Sequence, residues 1–153
     1  MNVDERFERL LEALGGKMGM DLSFDEDGAC NLSVGPELSL NIRRFPDEDR
    51  LTLTSVGADD LPDDVSHGVV VELLECALNP LFRAGPAVGR DPGSGTLVAW
   101  LSLQLDEVAP SDFPEIVEKF MEFVVTTSSH VAGGDVQFTQ EPQMVCGSDV
   151  VVA

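Results

Sequence analysis

The sequence is poor in basic residues, with nine lysines and arginines against 28 aspartates and glutamates and a formal net charge of −19. So negative a surface repels phosphate backbones and anionic lipid headgroups. We therefore expect no nucleic-acid partner and no membrane partner. The length of 153 residues and the hydrophobic fraction of 43% are typical of one soluble globular domain with its own core.

Cysteine and histidine are also scarce. Cys30, Cys76 and Cys146 are widely spaced, no CxxC pair occurs, and only His67 and His130 are available to join them. Structural zinc sites usually need closely spaced ligand pairs. We therefore expect no metal site and interpret the cysteines as free, buried thiols in a reducing compartment.

Long apolar runs and targeting signals are missing as well. No uncharged apolar stretch reaches the roughly 18 residues of a membrane span. The segment from Met1 to Glu5 is acidic, where a secretory signal is basic. We therefore expect the protein in the cytoplasm.

Catalytic motifs are largely absent. Gly15-Gly16-Lys17 lacks the following Ser or Thr of a phosphate-binding loop, and no HExxH or GxSxG occurs. The segment from Ser23 to Val34 is a poor calcium loop, because Val34 stands where a bidentate Glu is needed. We predict no catalytic residue and no cofactor. An enzyme or redox sensor that uses one of the cysteines is the alternative.

Helical and strand periodicities alternate along the chain. Apolar residues at helical spacing predict a first helix from Asp4 to Met18 and a last helix for which Asp112 is the N-cap. Between these helices come three strands with period-two alternation, a helix from about Ser66 to Asn79 ended by Pro80, and two more strands. The fold class is therefore α+β, in the order α-β-β-β-α-β-β-α, with an antiparallel sheet packed with helices.

Two of these elements have apolar residues on more than one face. The middle helix is apolar nearly all round, apart from a stripe of Glu72, Glu75 and Asn79, so it must be buried on two sides. Its second side is covered either by another copy of the chain or by the rest of one chain, and the pattern favours the dimer. In the strand from Thr96 to Leu105, Trp100 lies on the more polar face, where it either contacts a partner or packs under a helix.

The periodic pattern dissolves from Ser128 onward, with breaks at Ser128-Ser129 and Gly133-Gly134. A terminal segment without periodicity is disordered by default. We predict one domain over residues 1–127 and a tail over residues 128–153.

The order of the elements and four local stretches resemble the type III secretion chaperones of the CesT/Tir-chaperone kind. Leu10 to Gly28 is similar to the family's opening helix and the turn after it, and Leu73 to Asn79 to its second helix. Val88 to Gly95 is similar to its fourth strand and turn, and Phe113 to Val124 to its closing helix. The resemblance extends over most of the chain.

The resemblance implies a cytoplasmic homodimer that binds the N-terminal segment of a secreted effector in extended form and keeps it export-competent. It implies no cofactor, and the secretion ATPase as a further partner. Carried onto this chain, the dimer interface would use Val69, Val70, Leu73, Leu74, Ala77, Leu78, Ala87 and Val88. The effector-binding residues would be Phe7, Leu10, Leu14, Leu38, Leu40, Leu53 and Trp100, although large apolar side chains are more often core.

The tail is where the chain departs from the family. The stretch from Val136 to Thr139 alternates, which suggests the hypothesis that it pairs with a free strand edge and occupies the effector groove in the resting state. Two other readings stay open. One is a regulatory adaptor of the same fold that does not serve secretion, and the other is a globular domain unrelated to the family.

Overall fold

The computed structural model describes residues 2–35, 38–56, 61–82 and 85–132. The order of helices and strands confirms the predicted α+β class, with one additional short helix, α3. The elements are α1 Val3–Met18, β1 Ala29–Val34, β2 Leu38–Phe45, β3 Arg50–Val56, α2 His67–Cys76, α3 Asn79–Phe82, β4 Ala87–Arg90, β5 Leu97–Gln104 and α4 Phe113–Val131. Short 3₁₀ turns lie at Pro46–Glu48 and Leu105–Glu107.

Helix α1 has capping residues at both ends. The backbone N–H of Glu5 donates to Asn2 Oδ1 at 2.8 Å, and the Asn2 N–H donates to Glu5 Oε2 at 3.3 Å, which is a complete capping box. Gly19 ends the helix in the left-handed conformation, with φ of 74°, which glycine adopts at little cost. The helix thus begins one residue before the predicted start at Asp4.

The five strands form one antiparallel sheet in the order β1-β2-β3-β5-β4. The register pairs Ile42 with Leu53 and Leu53 with Leu101, so one face of the sheet is a continuous apolar layer. Asn41 and Thr54 pair on the opposite, polar face. The predicted alternation of buried and exposed residues in the strands is confirmed.

The apolar face of the sheet is covered by α1, α2 and α4, which form one core with it. Phe7, Phe113, Phe120 and Phe123 are the largest fully buried side chains of that core. The apolar stripes of α1 and α4 therefore face the sheet as their helical spacing predicts.

The middle helix differs from the prediction in its length. It begins as expected after Ser66, whose side chain accepts a hydrogen bond from the Val69 N–H at 3.2 Å, but it ends at Cys76. Pro80 does not end it at Asn79: it lies in the first turn of α3, where a missing N–H costs nothing. Asn79 Nδ2 donates to the Pro86 carbonyl at 3.0 Å and joins this turn to the start of β4.

Helix α4 is longer than the sequence predicts. Asp112 is its N-cap residue, as expected, but its side chain makes no capping hydrogen bond. The helix continues beyond Ser128 to Val131, because His130 and Val131 are buried. The division at residues 127 and 128 stays a prediction, and the tail segments around Gly133 and Val136 lie outside the described residues.

Candidate functional site

A groove of about 580 Å³ lies between α1, α4 and the β1 side of the sheet. Most of its lining residues are apolar, and they come from all three elements. They are Leu14, Lys17 and Met18 of α1, Leu32, Val34 and Leu40 of the sheet, and Pro114, Val117, Glu118, Met121, Glu122, Val125 and Thr126 of α4.

The spacing of residues on the helices produces the apolar walls of the groove. Val117, Met121 and Val125 are four residues apart and therefore share one face of α4. Met18 follows Leu14 at the same spacing on α1. Met18 and Val125 stay 43% and 47% exposed at the groove. Contiguous apolar side chains left open to water mark an interaction site.

The groove lies beside an edge of the sheet. Among the described residues, β1 pairs with β2 alone, so its outer backbone N–H and C=O groups face no other strand. Leu32 and Val34 of this edge strand face the groove. An extended segment lying there has both apolar contacts for its side chains and hydrogen-bonding groups for its backbone.

One ion pair connects the two helices that flank the groove. Lys17 Nζ donates to Glu118 Oε2 at 2.8 Å, and both side chains are more than half exposed. The hydrogen bond from Lys17, and its positive charge, lower the pKa of the Glu118 carboxyl. Glu118 is therefore ionised at neutral pH. The pair has a small net energy because water screens it.

A second apolar surface lies on α2 and α3. Leu74, Leu78, Leu81 and Phe82 are between 49% and 75% exposed, and we call these four residues the helix patch. Val69, Leu73 and Cys76 on the inner side of α2 are buried in the core. The helix is therefore apolar on two sides, as the sequence predicts, and among the described residues only the inner side is covered.

The structure divides the predicted effector-binding residues among three places. Leu14 and Leu40 line the groove, although both are nearly inaccessible to water. Phe7, Leu10 and Leu53 lie in the core, where 2% or less of each is exposed. Leu38 is half-buried opposite Val34, and Trp100 is 36% exposed on the polar face of the sheet, away from the groove. The structure thus does not bring the seven residues together.

The predicted dimer-interface residues are divided in a similar way. Leu74, Ala77 and Leu78 are exposed and Val70 is half-buried, so these side chains are available to a partner. The remaining four residues are buried within the chain: Val69, Leu73, Ala87 and Val88. The assignment of the interface to these residues stays a prediction.

Several residues of both surfaces were missed by sequence reasoning. The exposed pair Leu81 and Phe82 follows Pro80, and two adjacent large apolar residues directly after a proline expected to end a helix were the available signal. On α4, the helical spacing predicts a buried stripe without Val125, made of Phe113, Ile116, Val117, Phe120 and Val124. No periodicity in the sequence reveals that the Met18 end of α1 meets α4 across an open groove.

The described residues offer little chemistry besides apolar contacts. They contain no group of three or more His, Cys, Asp or Glu side chains placed to hold a metal ion. No helix within these ranges is long and apolar enough to cross a bilayer.

The cysteines partly follow the sequence prediction. Cys30 is a free, buried thiol, and burial, with a smaller contribution from the negative charge of Asp25, raises its pKa, which disfavours the reactive thiolate. Cys76 is disulfide-bonded. The prediction of three free thiols is therefore wrong for Cys76. Cys146 lies outside the described residues.

The chain matches one family of known proteins. The profile of the Tir chaperone protein (CesT) family matches residues 9–128. No curated protein matches the chain by sequence. The family match therefore covers more than three-quarters of the sequence, including the groove and the helix patch.

Several solved structures share the fold. The HopA1–SchA chaperone–effector complex has a chain 24% identical, with a TM-score of 0.69, and the match covers 82% of this chain and 95% of that one. A chain of the ExsC–ExsE complex is 17% identical, with a TM-score of 0.71 and coverages of 86% and 97%. In the complex of the Yersinia pestis type III secretion chaperone SycH with a fragment of YscM2, the corresponding values are 12%, 0.65, 80% and 99%.

Proposed function

Because the chain belongs to the Tir chaperone protein (CesT) family, whose members are type III secretion chaperones, we propose that it binds the N-terminal segment of a secreted effector. The segment lies in the groove in extended form, and binding keeps it export-competent. The function needs no catalytic residue and no cofactor. The cytoplasm as location and the secretion ATPase as a further partner belong to the same proposal and rest on the family.

The observation that carries this proposal is the apolar groove beside the open edge of β1. A folded domain presents few apolar side chains in a row, whereas an extended segment presents one at every second residue. Such a segment satisfies its backbone groups by pairing with β1, and it buries its alternate side chains among Leu32, Val34 and Met121. Each fully buried apolar side chain contributes about 1.5–3 kcal/mol.

The comparisons support a partner of this kind. SchA is described in a chaperone–effector complex with HopA1, and SycH in a complex with a fragment of YscM2. In each complex, the matching chain shares this chain's fold over most of its length. Applied to this chain, they favour a protein partner over a small-molecule substrate.

The helix patch supports the homodimer that we propose as the working form. Four large apolar side chains on one short stretch cost solubility unless a partner covers them. A second copy of the chain presents the same patch, so a two-fold axis through α2 and α3 covers both patches at once. The two effector grooves of the dimer then lie on the α1 and α4 side of each protomer.

The test is secretion in the bacterial host. We expect deletion of the gene to reduce the export of one or a few effectors, and the intact gene to restore it. The groove variants Met18→Asp and Val125→Asp replace exposed side chains, so they should fold but fail to restore export. Val56→Asp is the matched control, because Val56 is also exposed, at 45%, but lies outside the groove and the helix patch.

Unchanged export after deletion counts against the proposal. A regulatory adaptor of the same fold then becomes the better reading, provided that transcription of other genes changes on deletion. If both groove variants restore export as well as the intact gene, the protein serves secretion but the groove is not its binding site.

A further inference from the structure

The charged residues that line the groove do not balance one another. Lys17, Glu118 and Glu122 are the charged residues in its lining. Lys17 already pairs with Glu118 at 2.8 Å. In the described part of the chain, no basic group lies within ion-pair distance of the Glu122 carboxylate. One uncompensated negative charge therefore remains at the groove.

The position of this charge on α4 makes a cation favourable there. Glu122 follows Glu118 by four residues, so the two carboxylates lie on neighbouring turns of the same helix face, and like charges at this spacing repel. A basic side chain that reaches Glu122 relieves the repulsion. Met121 and Val125, which also line the groove, offer apolar surface for the methylene stem of that side chain.

The net charge of the whole chain also favours a basic partner segment. A net charge of −19 concentrates cationic segments near the surface and repels anionic ones before any contact forms. At the groove, the negative charge of Glu122 favours a basic side chain at one particular position of the bound segment. An acidic side chain placed there faces two carboxylates, and Lys17 is the one basic residue in the groove lining that offsets them.

On the basis of the proposed function, we infer that the groove selects a partner segment in which an apolar side chain is accompanied by a basic one. The apolar side chain fills the groove, and the Arg or Lys side chain pairs with Glu122. Glu122 is thus a specificity residue, whereas Leu32, Met121 and Val125 provide the apolar contacts.

The probes are fluorescein-labelled peptides about ten residues long, with leucine at alternate positions and arginine, glutamine or glutamate at one central polar position. Binding to the full chain is measured by fluorescence anisotropy. At about 0.15 M salt we expect the arginine peptide to bind about twofold to fivefold more tightly than the glutamine peptide, and the glutamate peptide to bind most weakly. Glu122→Gln should remove the preference, and Glu122→Lys should reverse it.

The control is Glu12→Lys, which makes the same charge change at an exposed α1 residue outside the groove lining. This variant should weaken every basic peptide slightly through the net charge and keep the order of affinities. Glu122 is exposed, so its variants should melt at the wild-type temperature.

The outcomes separate this inference from the proposed function. Equal affinities for the three peptides, or an order that Glu122→Lys leaves unchanged, overturn the role of Glu122; the groove itself stands if Val125→Asp still weakens all three. Failure of every peptide to bind the folded wild-type chain counts against both the inference and the groove as the binding site.

Discussion

The carboxylate of Glu72 on α2 lies 4.0 Å from Nε2 of His130 near the end of α4. Helix α2 contributes Leu74 to the helix patch, and α4 forms one wall of the groove. These two side chains are mostly buried, at 21% and 7% exposed, and they lie where the two helices meet. A charge at this point therefore affects the packing of both candidate surfaces.

Glu72 makes the stability of the fold depend on pH. Burial, and secondarily the charge of Glu75, raise the pKa of Glu72 above its ordinary value of 4.5. The folded state therefore binds a proton at the Glu72 carboxyl more tightly than the unfolded chain does. The contribution of this group to the free energy of unfolding is fully present below pH 4.5 and is lost as the pH rises through the raised pKa. Replacing Glu72 by Gln should therefore raise the melting temperature at about pH 7.5 by about 1–4 °C.

The measurement compares Glu72→Gln with the wild type, because the many other carboxylates shift both proteins alike. The difference in melting temperature should shrink towards zero at about pH 4, where Glu72 is protonated in both states. Glu12→Gln, which removes an exposed carboxylate from α1, is the control for the loss of one negative charge. A Glu72 variant that is less stable at every pH means that its carboxylate makes a net favourable contact.

The helix patch predicts the mass of the protein in solution. Light scattering on the wild-type chain should give twice 16.4 kDa across dilution. Leu74→Asp and Leu81→Asp should each lower the mass towards that of one chain, because an interface would bury the new carboxylate without a partner. Leu74 is 66% exposed and Leu81 is 73% exposed in the single chain, so its fold should survive. Val56→Asp, at an exposed site outside the patch, should keep the wild-type mass.

Two outcomes count against this interface. A wild-type chain that is a monomer at all concentrations leaves the patch without the second copy as its partner. A dimer whose mass neither variant changes must be held together by another surface, such as the polar face of the sheet around Trp100.

The sheet and the two long helices were predictable because their patterns are local. In β5, Leu97, Ala99 and Leu101 alternate with Val98 and Trp100, and the side-chain period of a strand is two. Every member of such a set goes to the same face. The order of the elements followed from the lengths of these patterns and from the turns between them.

The division between core and groove was not predictable, because it depends on contacts far apart in the chain. Phe7 and Leu14 belong to one stripe of α1 and look alike in sequence. Both side chains are buried in the core cluster, but Leu14 also lines the groove, whereas Phe7 does not. Similarly, a proline usually predicts the end of a helix, but Pro80 lies in the first turn of α3. The apolar residues after it, Leu81 and Phe82, are exposed at the surface.

Substitution of Phe7 tests whether this residue belongs to the core or to the groove. Its side chain is fully buried and makes an edge-on contact with Phe24, with ring centroids 6.3 Å apart. Phe7→Ala should cost about 3–5 kcal/mol, a large part of the stability of a domain this size, and should lower the urea midpoint strongly. Trp100→Ala on the polar sheet face should cost less. An unchanged midpoint together with weaker peptide binding would mean that Phe7 belongs to the groove.

Two neighbouring glycines at the end of α1 should respond to the same substitution in opposite directions. Alanine at the exposed Gly16, where an added Cβ meets no atom within 4 Å, should stabilise the helix by up to about 1 kcal/mol. Alanine at the buried Gly15 should destabilise the protein, because its Cβ collides with the Met20 carbonyl oxygen in the turn that closes α1. Urea midpoints of the two variants measure both effects. Equal gains would show that this turn relaxes freely, and the Met18 side of the groove would then be adaptable.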